Sequence, residues 1–222
     1  MKYSDELLKQ HPELWKAASE HPFISGLCSG TIPKEAFRNY VVQDYLICQA
    51  IRRLLSIVVA KLPATVTPAH WQSLVASFGN EIIPGAEVKT LQLIHKELNV
   101  TQAELTQASL VTRGFTDFII STGYCGSYKE SLIVLLAMNF VYERWAEKFA
   151  EAKPGDPLVD KWIKGHRDRV LGPTVDMLKA ALDAARPHST KVNKKHADAL
   201  KFTLQWETAF WESMGGKYQW AV

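Results

Sequence analysis

Apolar side chains recur every three or four residues along most of this chain, and this spacing is the period of an α-helix. No convincing alternation of apolar and polar residues marks a β-strand, and short runs of Pro, Gly and Ser separate the periodic segments. The pattern predicts an all-α protein with about seven or eight helices. A simple up-down four-helix bundle cannot hold them all, so we expect a larger bundle with a pocket between facing helices.

The Pro and Gly positions also predict where individual helices begin and end. One helix should run from Thr67-Pro68 to about Leu98 with a bend at Pro84-Gly85, because proline removes a backbone hydrogen bond there. Another should span about Leu158 to Ala185 despite Gly172-Pro173. Thr101 to Glu104 has the pattern of a capping box and should begin the helix that follows it.

Length and charge restrict the classes of function. The 222 residues suit one domain, 1–222, and nothing in the sequence marks a boundary between two. A net charge of +3, with 26 basic and 23 acidic residues interspersed, argues against a nucleic-acid surface. No apolar run approaches the roughly 20 residues of a membrane span, and the first residues lack the apolar core of a secretory signal. We therefore expect a cytoplasmic protein that binds neither nucleic acid nor membrane.

The spacing of cysteine and histidine does not indicate a metal site. Cys28, Cys48 and Cys125 are an odd number without paired spacing, which fits a reducing compartment better than a disulfide framework. The chain contains no HExxH motif, no paired CxxC and no Glu-x-x-His on one helix face. We expect no metal and no other cofactor.

Two carboxylates interrupt apolar helical stripes. Asp44 falls within the stripe Phe37, Tyr40, Val41, Cys48, Ile51 and Leu55. Glu207 falls in step with Leu200, Leu204, Trp211 and Met214. Removing a carboxylate from water is costly unless it is paired, hydrogen-bonded or protonated. One buried Asp can be a structural group that bonds a neighbouring helix, but a second buried acid favours a binding or catalytic pocket.

Aromatic side chains near these acids could complete such a pocket. Tyr40 places a phenol one turn before the buried Asp on the same face, and Tyr142 and Phe115 lie on the inward faces of two further helices. Aromatic neighbours such as Phe210 should raise the pKa of Glu207 and suit it to donate a proton. Most aromatic residues at helical spacing are core residues, so each position alone also fits simple packing.

Two further side chains are candidates for chemistry. His166 follows Trp162 by four residues on one face, where it could be either a structural or a functional group. Cys48 shares a stripe with Asp44 and could reach the pocket as a reserve nucleophile. A buried cysteine without an activating group usually behaves as a small hydrophobic residue.

Short motifs extend along nearly the whole chain: His21-Pro22-Phe23 with Gly30, Phe37-Arg38-Asn39-Tyr40, Gln43-Asp44-Tyr45, and Trp206-Glu207 with Phe210-Trp211-Glu212. In this order they resemble the TenA family, which contains thiaminase II, an aminopyrimidine aminohydrolase of thiamin salvage. The resemblance implies a heme-oxygenase-like multi-helix bundle that binds no heme. It also implies a pocket for the 4-aminopyrimidine moiety of thiamin or its breakdown products.

The resemblance suggests a role for each matching residue. Asp44 would hold the amino group and ring nitrogen of the pyrimidine, Glu207 would be the catalytic acid or base, and Tyr142 would match a pocket tyrosine. Phe115 and His166 would stand where the family often has tyrosine. A homo-oligomer, a dimer or tetramer, is also implied, and its apolar surface could come from Trp145, Tyr218 and Trp220.

One position departs from the family pattern in a way that affects the chemistry. Cys-type members have a Pro-Cys pair on this helix, and the thiolate attacks the ring, whereas this chain reads Leu136-Ala137-Met138-Asn139. The thioether of Met138 cannot be such a nucleophile. The chain is therefore similar to the branch that lacks this Cys, which commonly places a Glu one residue later, where this chain has Asn139.

Three functions remain open from the sequence. The first is a hydrolase that cleaves a C–N bond of an aminopyrimidine, with Glu207 as general base on water, Asp44 orienting the ring and Tyr142 stabilising developing charge. The second is a non-catalytic or repurposed small-molecule-binding protein with the same pocket. The third is a metal-dependent oxidase on the same fold, which the missing ligand spacing disfavours.

Overall fold

The computed structural model describes residues 2–64, 67–83, 85–168, 171–185 and 191–216, and the regular structure within these ranges is all helical. The all-α prediction is therefore confirmed. A short 3₁₀ turn covers Glu104–Thr106, and the α-helices are α1 Tyr3–Leu8, α2 Pro12–Ser19, α3 Pro22–Ser29, α4 Lys34–Ala60, α5 Pro68–Ile82, α6 Ala86–Glu97, α7 Leu110–Cys125, α8 Tyr128–Lys148, α9 Pro157–Asp168, α10 Leu171–Ala184 and α11 Lys194–Ser213. None of these helices is long and apolar enough to cross a membrane.

The helices α4 and α8 form the centre of the bundle. Every residue from Ser131 to Met138 on α8 is buried, because this stretch is apolar around most of the helix circumference. α8 packs against α10 on one side and α11 on another, while α4 packs against α7. The predicted acid positions on α4 and α11 therefore face the same interior.

Polar residues fix the start of three of the helices that surround this interior. Ser127 and Glu130 form a reciprocal capping box at the start of α8. The side chains of Ser109 and Asn193 accept backbone hydrogen bonds at the starts of α7 and α11. These caps fix the residue at which each of the three helices begins.

The long helix predicted from Thr67 to Leu98 is wrong, because the structure has two helices there, α5 and α6. Gly85 has an extended backbone at the N-cap of α6 and ends the continuity of the helix. The predicted bend involved Pro84 as well, and that residue lies outside the described residues. Likewise, 158–185 contains α9 and α10 rather than one helix, and the two residues between them are not described.

The capping box predicted at Thr101 to Glu104 forms, but it does not begin a long helix. The backbone N–H of Thr101 donates to Oε2 of Glu104 at 2.9 Å, and the backbone N–H of Glu104 donates to Oγ1 of Thr101 at 3.3 Å. The box stabilises the 3₁₀ turn, and α7 starts later with its own cap at Ser109.

Trp145 is a core residue and not part of an exposed apolar surface. Its side chain is fully buried, and its ring stacks on that of Trp162 with centroids 5.4 Å apart. The suggestion that it forms an oligomer interface is therefore wrong. The other two residues suggested for that role, Tyr218 and Trp220, lie outside the described residues.

Candidate functional site

A cavity of about 260 Å³ lies between the central helices. It is lined by all but one of the residues that the sequence predicted for the site: Asp44, Cys48, Phe115, Met138, Asn139, Tyr142, His166, Glu207 and Phe210. The exception is Tyr40, which is fully buried and does not line the cavity. These side chains come from five helices that are far apart in sequence: α4, α7, α8, α11 and, for His166, α9.

Asp44 and Tyr142 form one polar side of the cavity, with the Tyr40 phenol behind Tyr142. Asp44 is 2% exposed on α4. The hydroxyl of Tyr142 lies 3.3 Å from that of Tyr40, so Tyr40 reaches the site through its neighbour. Burial raises the pKa of both phenols well above the ordinary tyrosine value, and the nearby Asp44 charge adds to the effect. Both hydroxyls therefore stay protonated and can donate hydrogen bonds.

Glu207 projects from α11 into the same cavity and is 1% exposed. Burial, and to a smaller extent the charge of Glu87, raise the pKa of this carboxyl from 4.5 to about 8. Its Oε1 has no hydrogen-bond partner among the described residues. A carboxyl with this pKa is mainly protonated at neutral pH, so it is ready to donate a proton.

Aromatic rings form a wall beside Glu207. Phe115 on α7 is fully buried, and its ring stacks on Trp206 with centroids 6.1 Å apart and an interplanar angle of 9°. Phe210 meets Phe115 edge-on at 6.4 Å. Flat apolar surfaces of this kind suit a planar ring.

The wall formed by α8 contains no thiol. Met138 lines the cavity with its thioether, at the position where the sequence comparison expected the family nucleophile. Asn139 lines it too, but its Nδ2 donates to the carbonyl of Leu135 at 2.8 Å along the same helix. This side of the cavity supplies shape and a weak polar edge rather than a nucleophile.

Glu87 on α6 was missed by the sequence analysis. Its Oε1 lies 3.2 Å from Nε2 of His166, and the side chain lines the cavity. Glu87 falls in step with Leu91 and Ile94, both fully buried, so its helical position could have identified it as a third inward acid. Placing it next to His166, 79 residues away, requires the tertiary structure.

Three carboxyl groups and two basic side chains line the cavity. Asp44, Glu87 and Glu207 stand against His166 and Arg52. The guanidinium of Arg52 donates to the carbonyl of Ile82 at 2.6 Å and to Oε1 of Gln49 at 2.9 Å. A ligand that brings amino groups can donate hydrogen bonds to the carboxyl oxygens and therefore suits this cavity better than an anion.

One group of side chains in the described residues could approach a metal ion together. A ligand atom from each of Asp44, Cys48 and Glu87 lies within 4.8 Å of the other two. Sequence motifs could not show this group, because Glu87 comes from another helix. Thiolates in proteins are stabilised by neighbouring cations, whereas the charged partners of Cys48 in this group are two carboxylates.

A buried, acid-lined cavity between the helices of a bundle is the kind of site in which proteins bind small molecules. Residues 8–217 match the TENA/THI-4/PQQC family, and the chain belongs to that family. The predicted TenA resemblance is confirmed.

Relatives and solved structures support this assignment along the whole length. The chain is 26% identical to an aminopyrimidine aminohydrolase of Helicobacter pylori, covering 96% of this chain and 98% of that protein. It is 24% identical to the aminopyrimidine aminohydrolase of Bacillus subtilis, covering 100% and 93%. A TenA homologue from Pyrococcus horikoshii OT3 superposes with a TM-score of 0.81 at 26% identity, covering 96% and 98%.

A more distant structure confirms the predicted type of bundle. A domain from Shewanella denitrificans with a heme oxygenase-like fold superposes with a TM-score of 0.73 at 10% identity, covering 96% of this chain and 92% of that one. The chain therefore has the heme-oxygenase-like fold that the resemblance implied.

Proposed function

We propose that this protein hydrolyses an exocyclic C–N bond of an aminopyrimidine related to thiamin. The observation that carries the proposal is the position of Glu207, a fully buried carboxyl with a pKa of about 8, in the same cavity as Asp44. The two relatives named aminopyrimidine aminohydrolase support the substrate class.

Recognition of the ring is assigned to Asp44 and the aromatic wall. An aminopyrimidine presents an amino group beside a ring nitrogen, and a carboxylate can accept from the amino group and from the protonated nitrogen. Phe115 and Phe210 would hold the faces of the ring, and Met138 and Asn139 would limit its edge. Tyr142 would donate a hydrogen bond to charge that develops on the ring, with Tyr40 behind it.

Glu207 is assigned to proton transfer at the leaving nitrogen. The sequence suggested that it acts as general base on water, but a carboxyl that is protonated at neutral pH starts the cycle as an acid. The oxygen of water would form a bond to the exocyclic carbon as the C–N bond breaks, and the Glu207 proton would pass to the departing amine. The proton lost by the attacking water would then restore the Glu207 carboxyl. Cys48 stays the reserve nucleophile.

A binding protein without turnover is the second candidate. It is favoured by the thioether of Met138 and by the amide of Asn139, which bonds its own helix. Such a protein would use Asp44 and the aromatic wall in the same way, but would not cleave the ligand.

Calorimetry and an ammonia-release assay distinguish the two candidates. We expect 4-amino-5-hydroxymethyl-2-methylpyrimidine to bind, and the corresponding 5-aminomethyl compound to release ammonia. Glu207→Gln should lower kcat by about 100-fold or more with little change in KM. Glu212→Gln, on the same helix but outside the cavity lining, should not.

The possible outcomes separate the proposals cleanly. Binding without ammonia release supports the binding protein, and absence of binding contradicts both candidates. Unchanged turnover in Glu207→Gln contradicts the assigned mechanism. Metal content of the purified protein tests the metal-dependent alternative.

A further inference from the structure

Both ring nitrogens of His166 face oxygen acceptors. Nδ1 lies 3.0 Å from the carbonyl oxygen of Trp162, and Nε2 lies 3.2 Å from Oε1 of Glu87. A carbonyl oxygen can only accept, so Nδ1 must carry a proton. Neutral imidazole has one N–H, so the second hydrogen bond requires one more proton, either on Nε2 or on Glu87.

The aromatic side chains around His166 fix the orientation of its ring and therefore the positions of its two nitrogens. His166 is 5% exposed. The rings of Trp162, Tyr142 and Trp145 surround it, with centroids 4.1, 5.3 and 5.4 Å from its own. The imidazole therefore cannot turn to exchange its partners without displacing a packed aromatic cluster.

Glu87 and His166 also reach the cavity in which we place the reaction. His166 and Glu87 both line the cavity that contains Glu207, and they come from α9 and α6, whereas Glu207 comes from α11. The Glu87 charge acts on Glu207 strongly enough to be the second cause of its raised pKa. Two acidic groups in one cavity thus differ in surroundings: one has an imidazole partner, and the other lies against apolar rings.

We propose that Glu87 and His166 form a second proton-transfer pair, in which Glu87, held as a carboxylate by protonated His166, removes a proton from the attacking water. This inference rests on the proposed C–N hydrolysis. The water oxygen bonds to the exocyclic carbon as its proton passes to Glu87. The C–N bond breaks, and the Glu207 proton goes to the leaving amine. Return of the proton from Glu87 to the Glu207 carboxylate through water resets both groups.

The assignment explains how the site could act without a thiolate at Met138. Water attack needs a base, and Glu207 cannot serve as the base while it carries the proton for the leaving group. A histidine that stabilises a carboxylate next to it is a familiar way to keep the carboxylate charged in a buried site. Glu87 is thus the catalytic base, and His166 is its positioning residue.

Kinetics of paired variants test this role. We expect Glu87→Gln to lower kcat by about 100-fold with KM changed less than threefold. His166→Gln should give a loss of similar size, and the double variant should be no worse than Glu87→Gln alone, because the two act as a unit. Glu143→Gln is the matched control, because Glu143 does not line the cavity but borders a separate surface groove that His166 also lines.

A spectroscopic measurement tests the proton directly and does not depend on turnover. In ¹⁵N NMR spectra of the imidazole at pH 7, both His166 nitrogens should be protonated in the wild type, and only Nδ1 in Glu87→Gln. A wild-type ring protonated at Nδ1 alone, unchanged in the variant, overturns the proposal, as do additive losses of kcat in the double variant. If the wild type hydrolyses no aminopyrimidine, the proposed function fails, while the spectra still decide the state of the pair.

Discussion

At the scale of single residues, Asp44 is the group on which recognition should depend most. It is 2% exposed in the middle of α4 and has a carboxylate that can accept two adjacent donors. Asp44→Asn keeps the shape but removes the charge and turns one acceptor into a donor. A hydrogen bond to a charged group contributes about 1.5–3 kcal/mol, so we expect binding of 4-amino-5-hydroxymethyl-2-methylpyrimidine to weaken about 10- to 100-fold in calorimetry.

The control for this substitution is Asp117→Asn on α7. Asp117 is 62% exposed and pairs with Arg113 on the surface, so the change should leave ligand affinity within about twofold. Equal affinity of Asp44→Asn and the wild type would show that the carboxylate does not contact the ligand.

The sequence could predict those site residues that lie on helices whose inward-facing side follows from the apolar spacing. Asp44 and Glu207 interrupt apolar stripes of α4 and α11, so periodicity alone places them inward. Glu87 lies on a similar stripe, but the segment around it was assigned to one bent helix, which hid its orientation. Its contact with His166 joins two helices that are distant in sequence, and no local pattern encodes such a pairing.

At the scale of helices, sequence predicted which segments are helical better than where they end. The periodicity of α4 and α8 is long and strong, so their existence follows from it. The break between α5 and α6 depends on the extended backbone of Gly85, a conformation that any residue can adopt and that no local pattern requires. The capping box at Thr101 to Glu104 shows the same limit, because the hydrogen bonds form but only a 3₁₀ turn follows.

The end of α3 offers a test of one such boundary. Gly30 caps this helix with φ of 70°, and an added Cβ would lie 1.9 Å from the carbonyl oxygen of Pro154. Gly30→Ala must therefore move the backbone of the loop before α9. Gly155→Ala is the matched control, since Gly155 has φ of 80° but nothing within 4 Å of the added atom.

We expect the control to be destabilised by about 1–2 kcal/mol, the ordinary penalty of a left-handed alanine. Gly30→Ala should lose at least about 2 kcal/mol more, which corresponds to a Tm lower by roughly 4 °C or more than that of the control. Thermal unfolding followed by circular dichroism measures both. Equal melting temperatures would mean that the loop yields without cost and does not fix the end of α3.

At the scale of the whole molecule, the buried acid that suits catalysis should also make stability depend on pH. The pKa of Glu207 is about 8 in the folded protein and near its ordinary value of 4.5 when the chain unfolds. Between these values the folded state binds more protons than the unfolded state, so the free energy of unfolding falls as pH rises. The contribution is fully present below about pH 4.5, declines up to about pH 8, and is then lost.

Glu207→Gln should remove this dependence, because the amide has a similar shape and no charge at any of these pH values. Urea unfolding at pH 5 should give nearly equal free energies for the variant and the wild type. At pH 8 to 9 the variant should be more stable by several kcal/mol, since burial then penalises only the wild-type carboxylate. Glu97→Gln, on the exposed face of α6, should follow the wild type throughout. Parallel stability curves for Glu207→Gln and the wild type would mean that Glu207 is not held protonated by burial, and its assignment as the proton donor would then fail as well.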